Sequence, residues 1–375
     1  MKVLLAAGGT AGHINPALAI ADKIREVFPE SELLFVGTPN GMEAALVKKA
    51  GYPFRAIRME GLQRKLSVHD LLRNAKAAYH YLTARSGAKK LLKEFRPDVV
   101  IGTGGYVSAP ILLSAAKLKI RTATHESNSL PGIATHMLAR HADLVFVVDQ
   151  AAKDRLPKSK NVIITGNPLR TNIPIEERSA ARRRLGLPDG LTVLSFGGSL
   201  GANKITEAVA ALLKWESERG GINHIHGYGG NGREMFDALM KAEGVVPTNR
   251  MILKEYIDNM YTCMCAADVV ISRAGAMTLT ELKAIGRASV LIPFPQAAEN
   301  HQYYNALSLS DENAAVLIED KDLEKTKLIG IIDGFLKNPE RLRKMEQNAA
   351  RLGTMNAADV IVSKIIDLIG RENIS

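Results

Sequence analysis

The residues best suited to chemistry in this chain occupy positions 8–16, in the tract GGTAGHINP. Gly8, Gly9 and Gly12 allow a backbone to turn sharply and come close to a ligand. His13 is the side chain type whose charge changes most readily near neutral pH. An apolar run at 3–7 precedes the tract, and Asn15 and Pro16 then read as an N-cap and a first helical residue. A strand that passes through glycines into a helix leaves amides pointing outward at the positive end of the helix dipole. Such an end favours a phosphate or diphosphate, and a histidine beside it is placed for proton transfer.

Three further tracts follow apolar runs in the same way, and a fourth carries polar groups suited to a sugar. In GTGGYVSAP at 102–110, Gly104 and Gly105 bring amides onto a second anionic group and Ser108 adds a hydroxyl donor. The plainer alternative there is a tight strand-to-helix turn. THESNSLPG at 124–132 puts His125, Glu126 and Asn128 on a loop, where Glu126 and Asn128 suit sugar hydroxyls, against the alternative of a polar capping loop. SRAGAMTLTE at 272–281 has small residues that permit close contact with a diphosphate, and Glu281 lies one turn on, suited to a ribose diol. Thr278 and Glu281 also have the T-x-x-E spacing of a capping box, a stability device. In FPQAAENHQYYN at 294–305, Gln302 and Asn305 are amides of the kind that read sugar hydroxyls, unless the stretch is a solvated loop.

The elements that must position these groups are legible as alternating short apolar runs and helical patterns. Runs at 3–7, 33–36, 99–101, 144–148 and 162–165 form one set, and runs at 193–196, 223–227, 269–272 and 290–293 form another. Strand–helix alternation implies parallel sheets covered on both faces. Each set opens with a glycine turn, GGTAGH in the first and GGSLGANK at 197–204 in the second. With 375 residues, too many for one core, the reading is two Rossmann-like domains, 1–165 and 166–355. They join at Gly166-Asn167-Pro168, and a C-terminal helix in 356–375 packs back on the first. Ligands of such sheets bind beyond the carboxyl ends of the strands, so a donor and an acceptor would meet in a cleft between the two sets of loops.

Charge is uneven. Residues 1–165 hold 24 Lys+Arg against 13 Asp+Glu, whereas the remainder is nearly balanced at 25 against 26. No zinc-finger, homeodomain or RNP-type pattern accompanies the excess and only 5% of residues are aromatic, which argues against nucleic acid. An anionic substrate or membrane surface fits better. Val68, Leu72, Ala75, Tyr79 and Leu82 form a helical stripe flanked by Arg64, Lys65, Arg73, Lys76, Arg85, Lys89 and Lys90. A core-packing helix is one reading of it and a peripheral membrane contact the other. Cys263 and Cys265 are too few for a disulfide framework, and the strand pattern beginning at Val3 leaves no room for a signal peptide. A cytoplasmic protein is expected.

Taken in order, GGTAGH, GTGGYVSAP, HESN, GNPLR and SRAGAMTLTE resemble the motifs of the MurG family of peptidoglycan glycosyltransferases, from GGTAGH at residue 8 to HQYYNA at residue 301. The resemblance implies a GT-B fold, two Rossmann-like domains with parallel sheets facing a central cleft. It implies inverting transfer of N-acetylglucosamine from UDP-GlcNAc to the 4-hydroxyl of an undecaprenyl-diphosphate-linked muramyl-pentapeptide. By motif, His13 is the base, with Glu126 assisting. Thr10, Ala11, Gly12, Asn128, Arg170, Ser199, Ile257, Ala276, Met277, Thr278, Leu279, Thr280, Glu281 and Gln302 contact UDP-GlcNAc. Gly9, Gly12, Gly104, Gly105 and Ser108 would hold the acceptor diphosphate. No cofactor is required, and Mg²⁺ on the acceptor diphosphate is compatible with the scheme. The partners implied are the two substrates and the anionic inner face of the cell membrane, with cell-wall synthesis proteins compatible and nucleic acid not. The chain departs from the family at Ala11 (usually glycine), and at Leu200, Ser127 and His301 (each usually glutamine).

Overall fold

A computed structural model describes residues 1–57, 83–170, 173–198, 200–230 and 232–370. The chain divides into unit 1, Met1–Thr171 with Thr354–Ser375, and unit 2, Asn172–Gly353. The expected hydrophobic and basic stripe at 68–82 lies outside the described residues.

Unit 1 begins with β1 (Lys2–Ala6), α1 (Ala11–Val27), β2 (Glu32–Gly37), α2 (Met42–Lys49) and β3 (Phe54–Ala56). Residues 83–95 are helical (α3). There follow β4 (Val99–Gly102), α4 (Ser108–Lys117), β5 (Arg121–Glu126), α5 (Ile133–Leu138), β6 (Leu144–Val147), α6 (Gln150–Asp154) and β7 (Val162–Ile164). The strands form one parallel sheet in the order β3-β2-β1-β4-β5-β6-β7. The order reverses at the β1/β4 pair, where ligands of such sheets bind. Ala6 is in register with Gly102, so the GGTAGH and GTGG loops leave the sheet side by side.

Unit 2 contains α7 (Arg178–Arg184), β8 (Leu191–Phe196), α8 (Asn203–Arg219), β9 (Ile222–Gly227), α9 (Arg233–Glu243) and β10 (Met251–Lys254). It continues through α10 (Met260–Ala266), β11 (Val269–Ser272), α11 (Ala276–Ile285), β12 (Ala288–Leu291), α12 (His301–Ser310), β13 (Ala315–Leu317), α13 (Lys325–Lys337) and α14 (Pro339–Arg351). Its parallel sheet runs β10-β9-β8-β11-β12-β13. Phe196 pairs with both Ser272 and Gly227, which brings three loop starts to one place.

The chain then returns to unit 1 as α15 (Ala357–Ile369). Ile361, Val362, Ile365 and Ile369 recur at helical spacing and are buried in the cluster that includes Ile14, Ala17, Ile20 and Ile24 of α1. Lys23 of α1 also meets Asp359 at 3.1 Å. The division between units falls after Thr171, whereas the sequence reading puts it after residue 165.

The strands missing from the sequence reading are missing for two reasons. β3, β10 and β13 are edge strands of three or four residues, too short for an apolar run to stand out. β5 hides differently, because its sequence RTATHE looks polar although five of its six residues are buried. Two of its buried polar residues are held by distant partners: Thr122 bonds Asp143 at 2.7 and 3.0 Å and His125 bonds the Gly166 carbonyl at 3.2 Å. His125 and Glu126 therefore belong to a central strand, and the loop begins only at Ser127.

Candidate functional site

In unit 1, α1 starts at Ala11 with Thr10 as its N-cap, so Asn15 and Pro16 lie inside the helix and are not its start. Proline at that position has no N–H for the carbonyl of Gly12. The hydroxyl of Ser127 supplies the missing donor at 3.2 Å. His13 and Ile14 both donate to the Thr10 carbonyl, which leaves the amides of Ala11 and Gly12 as the orphan donors of the helix start.

His13 is thus in the first turn of α1, half-buried, with Nδ1 3.1 Å from the Gly8 carbonyl. A carbonyl only accepts, so Nδ1 carries a proton, and in the neutral ring the lone pair is on Nε2. Nε2 has no partner among the described residues. Thr103 holds the His13 backbone carbonyl at 2.7 Å. Gly104 has φ +113° and a Cβ there would lie 2.5 Å from the ring, so only glycine leaves the imidazole room. Gly105, at φ +79°, passes so close to the Gly8 carbonyl that a Cβ would sit 2.2 Å from it.

Several other expectations need correction. Ser108 is fully buried, and its hydroxyl faces the carbonyls of Ala6 at 2.8 Å and Gly104 at 2.7 Å, so it has no proton left for an acceptor anion. The Gly9 amide points to Glu43 at 3.3 Å. Glu43, which the motifs did not single out, also accepts from Thr38 N at 2.8 Å and Thr38 Oγ1 at 2.7 Å. Burial pushes its carboxyl upward, but the donors from Thr38 and Gly9 outweigh that and hold it below the usual range. It is an internal anion fixing the glycine loop.

Glu126 does not resemble a general base. One oxygen accepts from Asn128 N at 2.9 Å and Nδ2 at 3.0 Å, the other from Gly132 N at 3.1 Å and Thr135 Oγ1 at 2.5 Å. With four donors it organises the 127–132 loop and orients Asn128. His125 is pushed down to about 4 by burial and stays neutral. Asn167 donates to the Ser127 carbonyl at 3.1 Å, bolting the GNP tract to the same loop. Arg170 is engaged by Asp22 at 2.7 Å, whose other oxygen takes the Tyr52 hydroxyl at 2.7 Å.

In unit 2 a cavity of about 210 Å³ opens at the carboxyl ends of the strands. Phe196, Gly198, Gly227, Ile257, Thr278 and Glu281 are among the residues that line it. Helix α11 begins at Ala276 with Gly275 as N-cap, so Thr278 is already its third residue and the capping-box reading of Thr278 and Glu281 fails. The first intrahelical bond runs from Leu279 N to Gly275 O, leaving the amides of Ala276, Met277 and Thr278 as orphan donors. Leu279 and Thr280 cannot line a ligand as expected. The Leu279 side chain is in the core, and the Thr280 hydroxyl donates to the Ala276 carbonyl at 2.9 Å.

Glu281 accepts from the Tyr261 hydroxyl at 2.9 Å. Burial pushes its carboxyl up to about 7, against the pull of that hydrogen bond. The Ile257 side chain is buried against the cavity wall. Gln302 accepts from Phe294 N at 2.9 Å, which leaves its amide nitrogen without a partner among the described residues. The backbone before it is strained, with Glu299 and Asn300 both at positive φ (54° and 56°). Asn305 is buried and donates to the Ala274 carbonyl at 3.3 Å, so it holds the turn into α11 and does not read a sugar. Ser199 lies outside the described residues. A serine–histidine–glutamate set also exists, Ser195, His224 and Glu216, with both bonds at 2.7 Å. All three are buried away from solvent, so the set has no route to a substrate.

The chain matches the Glycosyltransferase family 28 N-terminal domain over residues 3–147 and the Glycosyltransferase family 28 C-terminal domain over residues 192–362. It is 40% identical to the UDP-N-acetylglucosamine–N-acetylmuramyl-(pentapeptide) pyrophosphoryl-undecaprenol N-acetylglucosamine transferase of Desulforamulus reducens, over 99% of this chain and 100% of that protein. The protein of the same name from Acetivibrio thermocellus is 39% identical, over 98% of each chain. Among solved structures, Acinetobacter baumannii MurG superposes with a TM-score of 0.79 at 29% identity, covering 98% of this chain and 99% of that one. A putative UDP-N-acetylglucosamine 2-epimerase from Listeria monocytogenes shares the fold at a TM-score of 0.71 and 17% identity, covering 99% and 97%.

Proposed function

The chain belongs to glycosyltransferase family 28, and from that premise we propose that it transfers N-acetylglucosamine from UDP-GlcNAc to lipid I, the undecaprenyl-diphosphate-linked muramyl-pentapeptide, giving lipid II. The observation that carries the reading of the chemistry is His13, with Nδ1–H held by the Gly8 carbonyl and Nε2 open. The acceptor 4-hydroxyl oxygen attacks the anomeric carbon from the face opposite UDP, and its proton passes to Nε2. The bond from the anomeric carbon to the diphosphate oxygen breaks with its electron pair, so UDP leaves and the configuration inverts.

Unit 2 holds the donor, with Glu281 accepting from ribose hydroxyls, Ile257 beside the base and Gln302 near the sugar. As the bond breaks, negative charge grows on the diphosphate. The orphan amides of Ala276, Met277 and Thr278 meet it at the positive end of α11, with Ser199 adding a hydroxyl, and they stabilise the transition state more than the ground state. Asn128, whose side chain is fixed by Glu126, offers a hydrogen bond to a sugar hydroxyl. The amides of Ala11 and Gly12, with Gly104 and Gly105, receive the acceptor diphosphate. No protein-held metal enters this scheme, and Mg²⁺ would act on the acceptor diphosphate alone.

The excess of 24 basic over 13 acidic residues in 1–165 supports work at the anionic cytoplasmic face of the membrane, where the lipid tail of the acceptor stays. Among the described residues no helix is long and apolar enough to cross a membrane. The test is transfer of labelled N-acetylglucosamine from UDP-GlcNAc to a short-chain lipid I, with and without EDTA. Product in both arms is the expected result. No product with confirmed donor binding would overturn the acceptor assignment, and loss of product in EDTA would make Mg²⁺ on the acceptor diphosphate a requirement.

A further inference from the structure

Tyr261, the second residue of α10, appears in none of the motifs, yet its hydroxyl ends 2.9 Å from Glu281 Oε1. Glu281 lines the 210 Å³ cavity together with Met260 and Met264 of the same α10, whereas Tyr261 is not part of that lining. The phenol therefore supports the carboxylate from behind. Glu281 Oε2 has no partner among the described residues. A glutamate side chain has three rotors to fix before it can accept from a hydroxyl at a defined place, and a single anchored oxygen removes most of that freedom.

We propose that Tyr261 is a positioning residue for nucleotide recognition: by donating to Oε1 it fixes the Glu281 carboxylate so that Oε2 receives a ribose hydroxyl. This rests on the reading of unit 2 as the donor site. Two consequences follow from the one hydrogen bond. The carboxylate is oriented, and its charged form is favoured in a buried setting, because a donor stabilises the anion. Burial already pushes Glu281 up to about 7, and Tyr261 is the group that pulls the other way. Losing the phenol would leave a carboxyl that takes up a proton at higher pH and then accepts poorly.

The other titratable groups nearby are identifiable. Glu255 and Tyr256 share the cavity. On the helices packed against α11, Cys263 of α10 is pushed up to about 11 by burial, Glu346 of α14 is tied to Arg178, and His301 of α12 bonds the Ala298 carbonyl. Glu281→Gln keeps all of these, so it separates their titration from that of Glu281.

The experiment is UDP affinity by titration calorimetry from pH 6 to 9 on the full chain, for wild type, Tyr261→Phe and Glu281→Gln. Tyr261→Phe is expected to bind about tenfold more weakly at pH 7, the scale of a hydrogen bond to a charged group. Its deficit should narrow by pH 9, where the carboxyl is ionised again, and the part due to lost orientation should remain, whereas Glu281→Gln binds weakly at every pH. Tyr261→Phe binding like wild type throughout would overturn the proposal, as would a further loss of affinity when Tyr261→Phe is added to Glu281→Ala, which would point to packing alone. If Glu281→Gln matches wild type, the donor-site reading of Glu281 fails instead, independently of Tyr261.

Discussion

His13 is oriented by the Gly8 carbonyl, and Glu281 is anchored by Tyr261 while burial raises its pKa. Replacing His13 with alanine removes the open Nε2 but leaves unit 2 untouched. Turnover is expected to fall by about 10²-fold or more while UDP-GlcNAc affinity stays within twofold of about the wild-type value, measured by single-turnover transfer and calorimetry; near-normal turnover would remove His13 as the base. Glu281 makes a different prediction, about stability. Its folded value of about 7 lies above the ordinary 4.5, so between those pH values the folded chain holds this proton more tightly than the unfolded chain. Stability from this group therefore declines as pH rises from 4.5 to about 7 and is level above. The full swing is about 3 kcal/mol, and Glu281→Gln should abolish it, melting higher than wild type at pH 8. Denaturant melts of unliganded protein across that range check both points. At this scale the types His13, Glu281 and Gln302 were legible from their motifs. Their partners Gly8, Tyr261 and Phe294 were not, because those lie 5, 20 and 8 residues away and meet them only in the fold.

Where helices start decides which groups in a motif face outward. The sequence favours Asn15-Pro16 as the start of α1, since both residues suit a helix terminus. The structure starts the helix at Ala11 and tolerates Pro16 because Ser127, from the loop after β5, bonds the carbonyl that proline leaves bare. Ser127→Ala should therefore cost about 1 kcal/mol, or about 2–4 °C in Tm for a unit of this size. Ser127→Thr, which keeps the hydroxyl, should retain most of it. A melt of Ser127→Ala equal to wild type would mean that the Gly12 carbonyl finds another donor. The same shift in starting point overturned the capping box at Thr278 and turned Leu279 and Thr280 inward. A local T-x-x-E pattern does not state which turn of the helix it occupies.

For the molecule as a whole, the two units have separate cores, and α15 joins the first of them. Removing residues 356–375 takes Ile361, Val362, Ile365 and Ile369 from the cluster that holds α1. At about 1.5–3 kcal/mol for each buried side chain, that loss matches the entire stability of a typical domain. Unit 1 is expected to unfold and transfer to stop, while UDP still raises the melting temperature of unit 2; thermal melts with and without UDP show whether the units part in this way. The alternation of buried runs and helices, repeated after residue 170, determined two parallel-sheet domains by itself, because strands covered on both faces must be apolar nearly throughout. The glycine turns and their companions likewise determined the class of ligand, since close backbone approach to phosphate restricts residue type. Only the tertiary structure decided that Glu126 and Glu43 are saturated organisers of loops, that Ser108 faces inward, and that Tyr261 stands behind Glu281. Hydrogen bonds between residues distant in sequence use up donors and acceptors, and which ones remain for a substrate depends on the strand order that brings the loops together.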